Sequence, residues 1–573
     1  MSDELVLRGT AAAPGIAIGP ALLYRPAVTT TDSAALSADV EVARLDAALA
    51  SADRVIQGLE ARLRETGRPD EAEIFVAHRS LLADPSLRDR AITLIIEDRQ
   101  SAPAAIMSAG EEQAQILIEL GDPYLSARAA DVRDVVGQTV RILRGEQALV
   151  DQLTLPAVVI AHDLGPSDLI SVPRERLLGF ALVAGGLTAH ATILARALSI
   201  PAVIGLGSEL LDQLADNVTL ALDGSSGELV VSPSPERLAR LRGTADEQAA
   251  RKAVLWERRS FPSITSDGHH IALFANAASP AEAREAHAWG AEGIGLLRTE
   301  LLFLERPTLP NEAEQLALYQ AVAAEMAGRP IVVRTLDVGG DKSLPAFPLP
   351  KEENPFLGWR GIRIGLSRPE ILLPQLRALL RAGAASEVRI MLPMITTIAE
   401  LRQARALLAQ AQAQLAAEGL PYTTTAQLGI MIEVPAAALM ADALACEADF
   451  FSIGTNDLTQ YTLACDRTNN RVAALYQPLE PAVLRLIAMT CAAAQRHGRH
   501  VAVCGEMSGD PRYTALLIGL GISELSCAPA ALPTVREAVR ATSLVAAQEL
   551  AQAALAAGSL AEVRALVGEV HAT

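Results

Sequence analysis

The sequence predicts a multidomain α/β protein: a helical region and a small α/β domain, followed by a C-terminal (β/α)8 barrel. Three observations lead there. At 573 residues the chain is too long to fold around one hydrophobic core. Half of its residues are hydrophobic but only 3% are aromatic, and alanine and leucine dominate, as in helix-rich α/β proteins. From about Ile271 onward, eight apolar strand-like runs alternate with alanine- and leucine-rich helical patterns over roughly 300 residues, the repeat of a parallel barrel. A doubly wound open sheet is the alternative that the same alternation allows.

Taken in order, residues 1–30 contain a Pro–Gly turn and a strand-like run from Gly15 to Tyr24. In residues 31–147 apolar positions recur at helical spacing, as in VEVARLDAALASADRVIQGLEARLRE, with polar residues on the other face. Pro69, Pro85, Pro103 and Pro123 fall where helices would start or stop, so a helical bundle is expected. Residues 148–235 change texture to short β-rich runs (PAVVIA, FALVAGG, PAVIGL, VTLALDG, GELVVSP). A charged helical stretch, 236–262, links them to residues 263–573. There the expected barrel strands are IALFAN, GIGLLRTE, IVVRTLDVGG, VRIMLPMI, LGIMIEV, FFSIGTND, VAVCGEM and ELSCAP.

Charge and cysteine usage narrow the function classes. A net charge of −18, with no long basic run, argues against nucleic acid and anionic membrane surfaces as partners. Cys446, Cys465, Cys491, Cys504 and Cys527 are odd in number and lack CxxC spacing, which fits a reducing compartment rather than a disulfide framework or a zinc site. The N-terminus has no basic stretch ahead of an apolar core, and no apolar run is long enough to span a bilayer. A cytoplasmic protein without membrane insertion is expected.

Chemistry concentrates at the ends of the expected barrel strands, where (β/α)8 active sites sit. The second strand ends in Arg298, with Thr299 and Glu300 following; the third carries Arg334, then Asp337 and Lys342. Arg360 and Arg363 lie in ENPFLGWRGIR; Glu433 ends the fifth strand, Asn456 and Asp457 the sixth, and Cys504 the seventh. Each has an ordinary structural reading alone, since surface charges pair often and weakly. Together, several arginines and a lysine suit a multiply charged anion, because guanidinium forks match phosphate and carboxylate. Glu433 and Asp457 are hard oxygen ligands suited to Mg2+. The expectation is an anion-plus-metal site for phosphoryl transfer or enolate chemistry.

The segments GGLTAHATILAR, GLLRTELLFLERP, VVRTLDVGGDK, ENPFLGWRGIR, IMIEVPAA, DFFSIGTNDLTQYTLACDR and CGEMSGDP resemble, in order and over nearly the whole chain, the Enzyme I family of phosphoenolpyruvate–protein phosphotransferases. The resemblance implies a swivelling phosphohistidine domain with an inserted helical bundle that docks the carrier protein HPr, and a barrel that binds phosphoenolpyruvate and dimerises. It implies that His190 accepts the phosphoryl group and that Cys504 protonates the enolate to give pyruvate. Arg298, Arg334, Arg360 and Arg467 would hold the substrate phosphate with help from Lys342. Asn456 and Asp457 would contact substrate, and Glu433 and Asp457 would hold Mg2+. His78 would belong to the docking surface of the bundle, and Arg196 would be a charge partner for the phosphorylated ring. Leu187, Ala189, Gly165 and Leu169 depart from the polar residues usual in the family, which leaves the orientation of the His190 ring open.

Two other functions share these motifs. A nucleotide-dependent phosphoenolpyruvate synthase or pyruvate phosphate dikinase would need an ATP-binding domain, and no glycine-rich nucleotide loop precedes His190. A non-catalytic phosphoenolpyruvate sensor would not need His190, Cys504, Glu433 and Asp457 together.

Overall fold

The computed structural model describes residues 4–24, 36–65, 69–119, 123–183, 190–198, 200–207, 214–304, 308–340, 346–347, 350, 352–467, 469 and 471–568. The chain divides into two compact units, Met1–Lys252 and Ala253–Thr573.

The first unit is built on a sheet of β1 (Leu5–Arg8), β2 (Thr10–Ala13), β3 (Ile16–Tyr24), β4 (Ala157–Ala161), β5 (Leu177–Leu182), β6 (Ala202–Ile204), β7 (Thr219–Asp223) and β8 (Glu228–Val231). Its order is β1-β8-β7-β3-β4-β5-β6-β2. Strands β3 to β6 run parallel to one another, while β7, β8, β1 and β2 pair antiparallel. The strand expected near Gly15 is β3. Ahead of it, β1 and β2 are four residues each, too short for a period-2 pattern to stand out.

Between β3 and β4, which are paired from Ala21↔Val158 to Tyr24↔Ala161, the chain leaves the sheet for a set of helices. These are Ala38–Glu65, Pro69–Leu82, Pro85–Glu97, Ala102–Glu119 and Pro123–Arg144. Proline opens a helix at 69, 85 and 123, where its missing N–H would be unpaired in any case. Asp84 caps the helix that follows it by accepting from the Ser86 N–H at 2.8 Å. The apolar stripes meet in a core of Leu45, Leu94, Ile106, Val132 and Val136. Helix Pro235–Glu257, in the expected linker, buries none of its residues, as its charged sequence requires.

The second unit contains β9 (Ala272–Ala277), β10 (Ile294–Leu297), β11 (Ile331–Arg334), β12 (Val388–Leu392), β13 (Leu428–Ile432), β14 (Phe450–Ile453), β15 (His500–Val503) and β16 (Glu524–Cys527). All pair in parallel, and β16 returns to β9 to close the barrel. The eight strands are the eight apolar runs read from sequence. Helices between them bury a continuous layer against the outer strand faces, including Ile331, Val333, Ile430, Ile432 and Val503. Among the described residues no helix is long and apolar enough to cross a membrane, and the five cysteines are free thiols.

Candidate active site at the barrel mouth

Strand alternation decides which side chains enter the barrel. On β13, Leu428, Ile430 and Ile432 pack outward against helices, which turns Met431 inward. Met431 joins Leu296, Val332, Met391, Phe450 and Cys504 in an interior apolar layer. Two residues further along the same inward rows come Arg334 after Val332 and Glu433 after Met431. Positions that are apolar in mid-barrel thus become charged at its C-terminal end.

There they line a cavity of about 860 Å³ with Arg298, Arg360, Asn456, Asp457, Arg467 and Cys504. Arg334 donates Nη2 to Glu300 at 2.6 Å and approaches Asp337 with Nη1 at 3.1 Å. Arg360 meets the same Asp337 Oδ2 at 3.0 Å and its Oδ1 at 3.3 Å, Asp457 at 3.4 Å, and Tyr461 at 3.0 Å. One buried carboxylate therefore spaces two buried guanidinium groups. Gly339, at φ +105, permits this: a Cβ there would lie 2.5 Å from the Arg360 Cβ, and side chains rarely adopt that φ. Arg298 is exposed at the rim and makes no ion pair among the described residues. Arg467 lies 3.7 Å from Asp457.

Burial works against charge on Arg334 and Arg360, yet Glu300 and Asp337 for the first, and Asp337 and Asp457 for the second, outweigh it. Both are held above the ordinary arginine range. Glu433 is fully enclosed, and its Oε1 accepts the Met394 N–H at 2.6 Å. Burial, reinforced by Asp457 and Asp337 and opposed by both arginines, pushes its carboxyl up to about 8. Such carboxylate crowding suits a divalent cation, which relieves the repulsion. No group of three His, Cys, Asp or Glu converges on one point among the described residues. Glu433 and Asp457 would supply two oxygen donors and leave the other positions to substrate and water, the habit of Mg2+. Burial also pushes the Cys504 thiol up to about 11, against a hydrogen bond from Ser452 at 3.3 Å. Asn456 and Glu506 clasp each other, Nδ2 to Oε1 at 3.1 Å and N–H to Oδ1 at 3.0 Å.

Lys342 lies outside the described residues. Arg363 does not line the cavity; it braces the backbone, donating to the Leu357 and Gly358 carbonyls at 3.0 and 2.8 Å. Asp337 and Tyr461 are the members that the expected substrate set omitted. Asp337 was signalled by its place three residues after Arg334, Tyr461 by one helical turn from Asp457.

In the first unit, helix His190–Ala197 begins at His190; the His190 side chain, Leu187 and Ala189 lie outside the described residues. Leu169 packs beneath this helix with Ala191, Leu194 and Ala195. Arg196 donates Nε to the Ala12 carbonyl at 2.7 Å, tying the helix to β2. His78 corrects an expectation. It is not on the bundle surface but 0% exposed, held by Asp131 at 3.3 Å and Asp134 at 3.6 Å. Asp134 also accepts the Ser167 hydroxyl at 3.0 Å, and burial raises its pKa against the pull of His78 and Arg141. Gly165 makes room for it: a Cβ there would fall 1.8 Å from Asp134 Oδ1. Asp134, Arg141, Asp168 and Ala191 share a cavity of about 280 Å³.

A closed parallel barrel with clustered arginines and enclosed carboxylates at its mouth, downstream of a mixed α/β domain, is the form of a phosphoenolpyruvate-utilising enzyme. Three family models agree: the PEP-utilising enzyme PEP-binding domain matches residues 252–544, the N-terminal domain 8–128 and the mobile domain 153–227. The chain is 40% identical over 569 residues to a phosphoenolpyruvate-protein phosphotransferase of Bacillus sp. (strain S), covering 98% of each, and it belongs to that family. It is 38% identical to the Bacillus subtilis relative, covering 98% of this chain and 99% of the other. A multiphosphoryl transfer protein of Xanthomonas campestris is 44% identical, covering 97% of this chain and 66% of that protein. A solution structure of Enzyme I aligns with 35% identity over 42% of this chain and 99% of its own, at a TM-score of 0.37.

Proposed function

We propose that the chain transfers the phosphoryl group of phosphoenolpyruvate to its own His190, releases pyruvate, and passes the group to a histidine of an HPr-type carrier. This is the first step of the sugar phosphotransferase system. The observation that carries the proposal is the barrel cavity, where Arg298, Arg334, Arg360 and Arg467 converge with Glu433, Asp457 and Cys504. The synthase and sensor readings are not favoured, because relatives matching 98% of the chain are named phosphoenolpyruvate-protein phosphotransferases.

Phosphoryl transfer asks a protein mainly for positioning and charge neutralisation. The exposed Arg298 and the half-buried Arg467 receive the phosphate, while Arg334 and Arg360, fixed by Asp337, present donors at set positions. Mg2+ on Glu433 and Asp457 would neutralise charge on the phosphate and carboxylate oxygens. Asn456, fixed by Glu506, orients the substrate. The neutral imidazole of His190 attacks phosphorus; the bridging P–O bond breaks and its electron pair leaves with the enolate. Cys504 then gives its proton to the enolate carbon, and its raised pKa keeps that proton in place at neutral pH. For His190 to serve both barrel and carrier, its domain swivels, with helix Pro235–Glu257 as the tether. The chain works in the cytoplasm as a homodimer formed through the barrel domain.

The test is incubation of the purified chain with phosphoenolpyruvate carrying labelled phosphate, Mg2+ and no nucleotide. An acid-labile, base-stable label appears on the chain, is absent from His190→Ala, and discharges on addition of HPr. Labelling that requires ATP would sink the proposal.

A further inference from the structure

Away from the catalytic mouth, at the N-terminal ends of the barrel strands, a second cavity of about 410 Å³ opens beside the segment that follows helix Pro235–Glu257. Its walls come from that segment (Arg259), from the approach to β10 (His287, Glu292), from the approach to β11 (Arg329) and from helix Leu532–Ala541 (Arg536). Arg536 is 2% exposed. Its Nη1 and Nη2 donate to the carbonyls of Trp289 and Gly290 at 3.1 and 2.7 Å. Both acceptors are neutral, and its Nε is buried without a hydrogen-bond partner among the described residues. The Nδ1 of His287 is likewise buried and, among the described residues, without a hydrogen-bond partner.

Carboxylates do not balance this charge. Among the described residues Glu292 is the one acid lining the cavity. It is already engaged by the Ser263 hydroxyl at 2.9 Å, the Leu273 N–H at 3.1 Å and His270 at 2.8 Å. Glu537, next to Arg536 in sequence, pairs with Arg258 at 2.9 Å. Arg329 spends one Nη on the Ala291 carbonyl. Arg259 stacks its guanidinium 4.1 Å from the Trp256 ring centre, which fixes its plane without neutralising it.

We propose that this cavity is a binding site for a small multivalent anion, a phosphate- or dicarboxylate-bearing metabolite, with Arg536 at its base and Arg259 and Arg329 as its rim. A buried guanidinium that bonds only to carbonyls lacks a counter-charge, and an anion supplies one in the bidentate geometry that the fork favours. Burial lowers the Arg536 pKa, with Glu292 opposing, which is the strain such a ligand would relieve. The volume matches that of small-metabolite pockets, about 300 Å³ and upward. The site is separate from the phosphoenolpyruvate cavity and does not rest on the proposed reaction.

Tryptophan emission reads this site. The chain has three tryptophans; Trp256 and Trp289 stack edge to face at 4.8 Å against the cavity arginines, and Trp359 precedes the catalytic Arg360. In full-length Trp359→Phe protein, titration with inorganic phosphate, and separately with malonate, should give a saturable change for at least one anion. A phosphate response marks a phosphorylated ligand, a malonate response a dicarboxylate. Adding Arg259→Gln and Arg329→Gln should raise the half-saturating concentration roughly tenfold or more, as for the loss of charge-assisted bonds. If the pair of substitutions impairs folding, Arg259→Gln alone makes the same comparison. No saturable response to either anion, an unchanged half-saturation in the variants, or a response abolished by Arg298→Gln would each overturn the proposal.

Discussion

Replacing Arg298 by alanine separates binding from stability more cleanly than any other change at the barrel mouth. Its guanidinium is exposed and makes no ion pair among the described residues, so its removal leaves no buried charge behind. Surface substitutions of this kind move stability by about 0.5 kcal/mol or less. In the reaction the same group would form a charge-assisted bond to phosphate, worth about 1.5–3 kcal/mol. At about 1.4 kcal/mol per decade, kcat/KM for phosphoenolpyruvate should fall roughly 10- to 150-fold with the unfolding temperature unchanged. Arg334→Ala is the contrast. It removes a guanidinium lying between Glu300 at 2.6 Å and Asp337 at 3.1 Å, which strands the buried Glu300 carboxylate and leaves Asp337 to Arg360 alone. Breaking such a buried pair destabilises by about 3–5 kcal/mol, so this variant should lose both activity and thermal stability. Pyruvate release measured with a coupled assay, alongside calorimetry, checks both. The reasoning fails if Arg298→Ala keeps kcat/KM within about twofold, a change of less than ~0.5 kcal/mol, or if it melts as early as Arg334→Ala.

Gly165→Ala should destabilise the N-terminal unit, because the new Cβ falls 1.8 Å from Asp134 Oδ1. Combined with Asp134→Ala, the strain should be relieved, giving a double-mutant coupling of about 1–3 kcal/mol in urea unfolding; additive effects would refute the contact. Burial pushes the Cys504 thiol up to about 11, so it stays protonated at neutral pH and becomes thiolate only toward pH 11. Alkylation at Cys504, followed by mass spectrometry, should therefore rise through that range, whereas a midpoint near ~8.5, that of an ordinary thiol, would contradict the enclosure. Glu433→Gln keeps an acceptor for the Met394 N–H while removing a charge that burial, Asp457 and Asp337 all oppose. Without divalent metal, this variant should melt no earlier than the parent; with Mg2+, the parent should gain melting temperature and the variant should not.

The barrel was legible because its signal is redundant: eight apolar runs in βα alternation, several of which end in a polar or charged residue. That regularity also located the mouth, since Arg298, Arg334, Glu433, Asp457 and Cys504 follow their strands in order. What sequence left out depends on contacts between distant segments. His78 lies on an amphipathic helix and reads as surface, yet Asp131 and Asp134, some fifty residues on, enclose it. Arg363 reads like its neighbour Arg360, but it turns to the loop carbonyls instead. The orphaned Arg536 gave no local cue either, since its partners are the carbonyls of a turn at Trp289 and Gly290.

The placement of the helical excursion between two adjoining parallel strands has a consequence for biosynthesis. Tyr24 ends β3 and Ala157 begins β4; at ~5–20 residues per second on the ribosome, β3 waits about 7–27 s for its neighbour. The helical hairpins between them have mostly local contacts and condense on a far shorter timescale. β1 and β2 wait longer still, for β8 and β6. The nascent chain thus presents a finished bundle flanked by an unpaired strand edge, the kind of surface that chaperones shield and that neighbouring nascent chains could capture. Arrested-chain proteolysis should find the helices protected well before Ile16–Tyr24.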